Sequence, residues 1–171
     1  MSIGGNDFGF ADIALRCGVL GAVAPFGAPC RDSFALGGDQ IGGRLAAVTP
    51  RVGAVLDEIH RRAPHATVAL TGYLPILPAA GGCWPSMPIG PGDVTFLTDV
   101  TNRLNRMLAD TAAAHGAEYV DPDTQPGHDA CQAPGTRWVE TPLPASASLS
   151  VHPNAAGQAF MATRTADVLS R

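Results

Sequence analysis

Met1-Ser2-Ile3-Gly4-Gly5-Asn6-Asp7 opens the chain, and these seven residues read as the end of a buried strand running straight into a turn. Ser2 and Ile3 supply the strand end. Gly4 and Gly5 let the backbone turn sharply or come close to a ligand, because glycine has no Cβ to clash. In α/β proteins ligands bind at the carboxyl ends of the strands, so Asn6 can point its side-chain amide into such a cleft. The same residues also fit an ordinary strand-to-helix turn with Asn6 or Asp7 as helix N-cap.

Outward from that turn, a helical stretch covers residues 8–23, and Pro25, Gly27 and Pro29 make a loop between Cys17 and Cys30. Leu45, Val48, Val52, Val55, Leu56 and Ile59 recur at helical spacing and predict an amphipathic helix ending near residues 61–64. Pro50 falls inside that pattern, so the helix either starts after it or kinks there. Residues 67–73 form a short apolar run rich in β-formers, a buried strand. Residues 74–91 hold five prolines and carry Cys83; a loop of that length in a compact domain is usually functional. The longest helix is expected over residues 93–115, with Val94, Leu97, Val100, Leu104, Met107, Leu108 and Ala112 on one face and Gly116 as its stop. A strand at 117–120, a second loop at 121–150 carrying Cys131, and a helix at 154–169 complete the chain.

Helices alternating with short apolar strands predict an α/β fold with a parallel sheet covered on both faces. Three strands are legible, whereas a doubly wound sheet usually has five or more. The sheet is therefore expected to be incomplete.

The 171 residues fit a single domain, and 46% apolar with only 15% charged residues is a globular balance. A net charge of -4 gives no reason to expect nucleic acid as a partner. No stretch approaches the roughly 20 apolar residues of a membrane span, so stable membrane insertion is not expected. Nothing after Met1 resembles a signal peptide. The four cysteines, Cys17, Cys30, Cys83 and Cys131, form no C-x-x-C pair, which argues against zinc. An even count in loop-like surroundings favours two disulfides and an exported protein, against the competing reading of four buried thiols in a cytosolic one. Three pairings are open.

A second island lies near the other end: Val151-His152-Pro153-Asn154-Ala155-Ala156-Gly157-Gln158. A histidine held just before a helix start can reach a cleft as general base; equally, it is a surface histidine beside a capping Asn154. Together and in this order, Gly4-Gly5-Asn6-Asp7 and His152-Pro153-Asn154-Ala155-Ala156-Gly157 resemble the conserved blocks of the SGNH hydrolases, the GDSL esterases and lipases. Gly72-Tyr73 with its Pro-rich loop, Pro88-Ile89-Gly90 and Gly127-His128-Asp129-Ala130-Cys131 are similar to the secreted actinobacterial members, so the resemblance spans essentially the whole chain.

The resemblance implies a flavodoxin-like α/β/α sandwich with a parallel sheet lacking its first two strands here, hydrolysis of carboxylic esters through a serine, no cofactor, and a small-molecule or lipid ester as substrate. It implies disulfides Cys17–Cys30 and Cys83–Cys131, an oxyanion loop at Gly4 and Gly5 with Asn6 as donor, and His152 as base. The complete protein would be a secreted monomer.

The pattern is broken in two places. The family's nucleophile block, Gly-Asp-Ser, precedes Gly-x-Asn-Asp, and none of the seven serines here, Ser33 in Arg31-Asp32-Ser33-Phe34 included, has that setting. Met1 is therefore expected to be an internal methionine of a longer exported esterase, and the chain as given to be inactive alone; the alternative is a degenerate domain that binds an acyl or glycan ligand without turnover. Secondly, the position where many members carry an aspartate to orient the histidine is Leu149. Its backbone carbonyl is expected to hold the ring instead, with Asp121, Asp123, Asp129 and Glu140 as unranked alternatives. A metal site at Asp121, His128 and Asp129 matches no ligand spacing that merits preference.

Overall fold

The computed structural model describes residues 1–122 and 126–171. Among them the elements run α1 (Gly5–Phe8), α2 (Phe10–Val23), α3 (Pro29–Ala35), α4 (Gln40–Arg62), β1 (Ala69–Thr71), α5 (Pro91–Ala114), β2 (Glu118–Val120) and α6 (Ala155–Leu169). β1 and β2 pair in parallel, Leu70 opposite Tyr119. A parallel pair requires a long crossover, and α5 provides it.

Met1 lies along the other edge of β1: its nitrogen donates to the Ala69 carbonyl (2.5 Å) and its carbonyl accepts from the Thr71 N–H (2.8 Å). The strand end expected at Ser2-Ile3 is thus not a regular strand, although the residue before it pairs as a parallel neighbour would.

The expected face of α5 is the core. Val94, Leu97, Val100, Leu104, Leu108 and Ala112 are buried and meet Val48, Val52 and Leu56 of α4. Leu70, fully buried at the centre of β1, closes that core from the sheet; burying one such side chain stabilises by about 1.5–3 kcal/mol. α4 and α5 pack against each other, while α6 packs on β1 and β2. The result is an α/β fold whose small parallel sheet lies among packed helices.

Three local expectations change. The helix expected at 8–23 is two, divided at Gly9 (φ 76°). α4 starts at Gln40 and runs through Pro50. Interior proline costs about 3 kcal/mol, but Asp39 caps the helix by accepting from Gly42 N–H (2.9 Å), and Ile41, Val48, Val52 and Leu56 are buried along its length. The loop after Cys17 gives way to α3, whose first N–H groups, those of Cys30 and Arg31, donate to the Asp93 carboxylate of α5 (3.0 and 2.9 Å). That cap comes from across the molecule, so no local pattern announces it.

The disulfides are Cys17–Cys30, joining α2 to α3, and Cys83–Cys131, joining the loop after β1 to the loop after β2. This is the pairing that the resemblance implied. Among the described residues no helix is long and apolar enough to cross a membrane.

Candidate active site

Gly4 adopts φ 97° and caps α1, so neither Asn6 nor Asp7 is the N-cap. The Gly5 N–H donates to the Tyr73 hydroxyl at 2.9 Å. A Cβ on Gly5 would stand 2.7 Å from that oxygen, so only glycine allows the contact as it is. Tyr73 is itself fixed: its N–H donates to Asn105 Oδ1 and its carbonyl accepts from Asn105 Nδ2, both at 2.8 Å. Asp7 pairs with Arg51 of α4. Asn6, between these anchored neighbours, is exposed, and its side-chain amide has no hydrogen-bond partner among the described residues.

His152 is also exposed, and its Nδ1 lies 2.9 Å from the carbonyl oxygen of Ser150. The expected partner, the Leu149 carbonyl, is not the one that holds the ring. It accepts instead from the His152 backbone N–H (3.2 Å), closing a turn in which Val151 takes φ 60° and the carbonyl of Ser150 faces the imidazole. With Nδ1 donating to a carbonyl, Nε2 carries the lone pair.

A β-branched residue at positive φ is a backbone outlier costing about 1–3 kcal/mol, tolerated only where the surroundings over-determine it. They do so here. The Glu140 N–H donates to the His152 carbonyl (3.0 Å), Ser148 Oγ to the Pro153 carbonyl (3.0 Å) and Ser150 Oγ to the Pro142 carbonyl (2.8 Å). Asn154 caps α6 by accepting from the Gly157 N–H (3.1 Å) and donates through Nδ2 to the Arg137 carbonyl (2.8 Å).

Under this turn lies a buried carboxylate. Glu140 Oε2 accepts from Arg137 Nε (3.0 Å), Arg137 Nη2 (2.6 Å) and the Ala145 N–H (3.0 Å), while Oε1 accepts from Ser146 Oγ (2.8 Å) and Asn154 Nδ2 (3.1 Å). The Ala145 N–H, Asn154, Ser146 and Arg137 together outweigh burial and pull the carboxyl down from 4.5 to about 2. A carboxyl lowered on folding stabilises the folded state above its unfolded pKa, and that contribution is lost as pH falls through the folded one. The guanidinium unfolding midpoint is therefore expected to drop between about pH 4.5 and pH 2, with a shallower drop in Glu140→Gln; equal slopes in the two proteins would refute the assignment.

Among the other proposed orienters, Asp129 is committed to the Cys131 N–H (2.9 Å) and Gln132 Nε2 (3.1 Å). Asp123 lies outside the described residues. The Asp121 carbonyl accepts from Arg164 Nε (3.4 Å). Neither Asp129 nor Glu140 bonds the His152 ring among the described contacts.

The two islands lean on consecutive residues just past the carboxyl end of β1. Gly5 meets Tyr73, and Gly157, in the first turn of α6, sits where a Cβ would stand 2.5 Å from the Trp138 carbonyl and 3.2 Å from Leu74 Cδ1. Beside them Cys83–Cys131 holds the loop bearing His128, whose ring stacks on Trp138 (3.8 Å), which stacks on Phe160 of α6 (4.1 Å). Sequence reasoning missed Asn105, the Tyr73–Gly5 contact and the Arg137–Glu140 ion pair. Only the last had a local signal, opposite charges three residues apart. Among the described residues no group of three or more His, Cys, Asp or Glu side chains could hold a metal ion.

Residues 1–160 match the model of the GDSL-like Lipase/Acylhydrolase family. The chain is 39% identical to Lipase 2 of Streptomyces coelicolor over 175 residues, covering 99% of this chain and 58% of that protein. In structure it is similar to phospholipase A1 from Streptomyces albidoflavus NA297, with a TM-score of 0.77 and 25% identity over 98% of this chain and 66% of that one. It is similar also to an extracellular lipase from Streptomyces rimosus, with a TM-score of 0.76 and 26% identity over 98% and 67%. The chain thus spans a little over half the length of the curated relatives it matches.

Proposed function

The chain belongs to the GDSL-like lipase/acylhydrolase family, and from that membership we propose that it forms part of a serine-type carboxylic ester hydrolase with His152 as general base and the Asn6 amide as oxyanion donor. The observation that carries this reading is the hydrogen bond from His152 Nδ1 to the Ser150 carbonyl, which leaves Nε2 as the proton acceptor. In such a site a serine oxygen attacks the ester carbonyl while its proton passes to Nε2. The carbonyl oxygen becomes the oxyanion that the Asn6 amide receives. The protonated base then gives the proton to the departing alcohol, and water, deprotonated by the same base, releases the acid.

No serine of these 171 residues is offered as nucleophile. The hydroxyls of Ser33, Ser146, Ser148, Ser150 and Ser170 donate to carbonyl or carboxylate oxygens, and none bonds His152 among the described contacts. The 171 residues alone are therefore proposed not to turn over esters. Two disulfides support export, and the three lipolytic relatives support an acyl ester, lipid or small, as substrate.

The test uses a p-nitrophenyl ester of a short fatty acid. The 171-residue chain is expected to match the buffer rate. In the ester-hydrolysing product isolated from the producing cells, Asn6→Ala is expected to lower kcat about 10²–10³-fold with KM little changed, the usual loss for one oxyanion donor. Turnover by the 171-residue chain that His152→Ala abolishes would overturn the absence of a nucleophile. Unchanged kcat in Asn6→Ala would overturn the oxyanion role.

A further inference from the structure

We propose that Glu140 is a positioning residue for His152, its carboxylate clamping the turn that presents the imidazole in the Nδ1–H form. The inference rests on His152 being the general base, and it assigns to a carboxylate that never touches the ring the task of holding it.

Three observations converge. Glu140 is 2% exposed, and its carboxylate gathers five donors from Arg137, Ala145, Ser146 and Asn154. Its backbone N–H reaches the carbonyl of His152 itself (3.0 Å). Between the clamped ends, at Ala145-Ser146 on one side and Asn154 on the other, the chain from Leu149 to His152 is largely exposed and contains Val151 at φ 60°. An exposed segment has no core to hold a left-handed valine, so the constraint comes from its two fixed ends together with the Ser148, Ser150 and His152 hydrogen bonds within it.

Both ends are held by one side chain. Oε1 takes the Asn154 amide of the α6 cap, and Oε2 takes the Ala145 N–H at the start of the exposed arc. The single anion ties the two ends of the arc together, and the arc between them carries the positive φ. The positive φ in turn faces the Ser150 carbonyl to Nδ1 (2.9 Å). Without the clamp, Val151 is free to return to an extended conformation, the carbonyl swings away, and the imidazole reverts to the mixture of tautomers of a free ring. Asp129, another buried carboxylate beside this region, is spent on its own turn.

The experiment reads the ring directly, by long-range ¹H–¹⁵N correlation of His152 in the folded 171-residue chain at pH 8. In the unsubstituted chain one tautomer, Nδ1–H, is expected to dominate. Glu140→Gln keeps the size and loses the charge, and is expected to shift the ring to an averaged mixture in which Nε2–H is the major form. Ser146→Ala removes one donor of five and is expected to give a smaller shift in the same direction; it decides the matter if Glu140→Gln does not fold. A folded Glu140→Gln chain that keeps the Nδ1–H form, or an unmoved ring in Ser146→Ala where only that variant folds, overturns the proposal. Ester turnover that survives His152→Ala would sink the base assignment without altering the tautomer result, so the two failures are separable.

Discussion

Replacing His152 with alanine is expected to lower kcat for ester hydrolysis by about 10⁴-fold or more in the product isolated from the producing cells, with KM changed only slightly. The size follows from what the imidazole does. In the proposed role it removes the proton from the attacking hydroxyl and returns it to the leaving alcohol. On the Eyring scale 10⁴-fold is about 5.5 kcal/mol of transition-state stabilisation. The substitution should cost little stability, because the ring is exposed and its contact is one hydrogen bond to the Ser150 carbonyl. Loss of rate with an unchanged unfolding midpoint is therefore the diagnostic combination. A rise in KM with kcat preserved would make His152 a binding residue and remove the general-base assignment.

Replacing both Cys83 and Cys131 with alanine is expected to destabilise the folded chain by about 4 kcal/mol, from the loop entropy returned to the unfolded state. The bond spans 48 residues, and the closed loop contains all of α5 and β2. Both cysteines are only partly buried, so truncation removes little packing and the effect isolates the cross-link. The same change at Cys17 and Cys30 would not be so clean, since both of those are fully buried in the core. Guanidinium unfolding at neutral pH checks it; a double variant within about 1 kcal/mol of the parent would show that the loop entropy is not what the bond contributes.

How much of this was legible beforehand depended on whether the cause was local. α5 was readable from the spacing Val94, Leu97, Val100, Leu104, Leu108 because that stripe is the core-facing stripe, and Gly116 at φ 69° ends the helical run as glycine does. α3 was not readable, since its N-terminal donors are satisfied by Asp93, more than sixty residues away. Pro50 left a start after it or a kink open, and the helix in fact begins ten residues earlier at Gln40, capped by Asp39.

At the candidate site, the resemblance of two sequence blocks to a family's blocks marked Asn6 and His152, and neither neighbourhood could be drawn from them. The Ser150 carbonyl rather than that of Leu149 holds the ring because Val151 adopts a conformation that valine rarely takes, and nothing in the order Leu-Ser-Val-His predicts it. Tyr73 could be noted beside Gly72, but its hydroxyl meets Gly5 only after the crossover through α4 has folded.

That dependence on crossovers also sets an order in time. β1 and β2 pair residue for residue across a gap of about 50 positions, Ala69 with Glu118. At about 5–20 residues per second of synthesis, the first strand exists for several seconds before its partner has been made. Cys83 waits a comparable interval for Cys131, whereas Cys17 meets Cys30 after only 13 residues. Once the chain meets an oxidising environment, the 13-residue separation closes at less entropic cost than the 48-residue one, so Cys17–Cys30 is expected to form first. With those two thiols paired, Cys83 and Cys131 are left with each other.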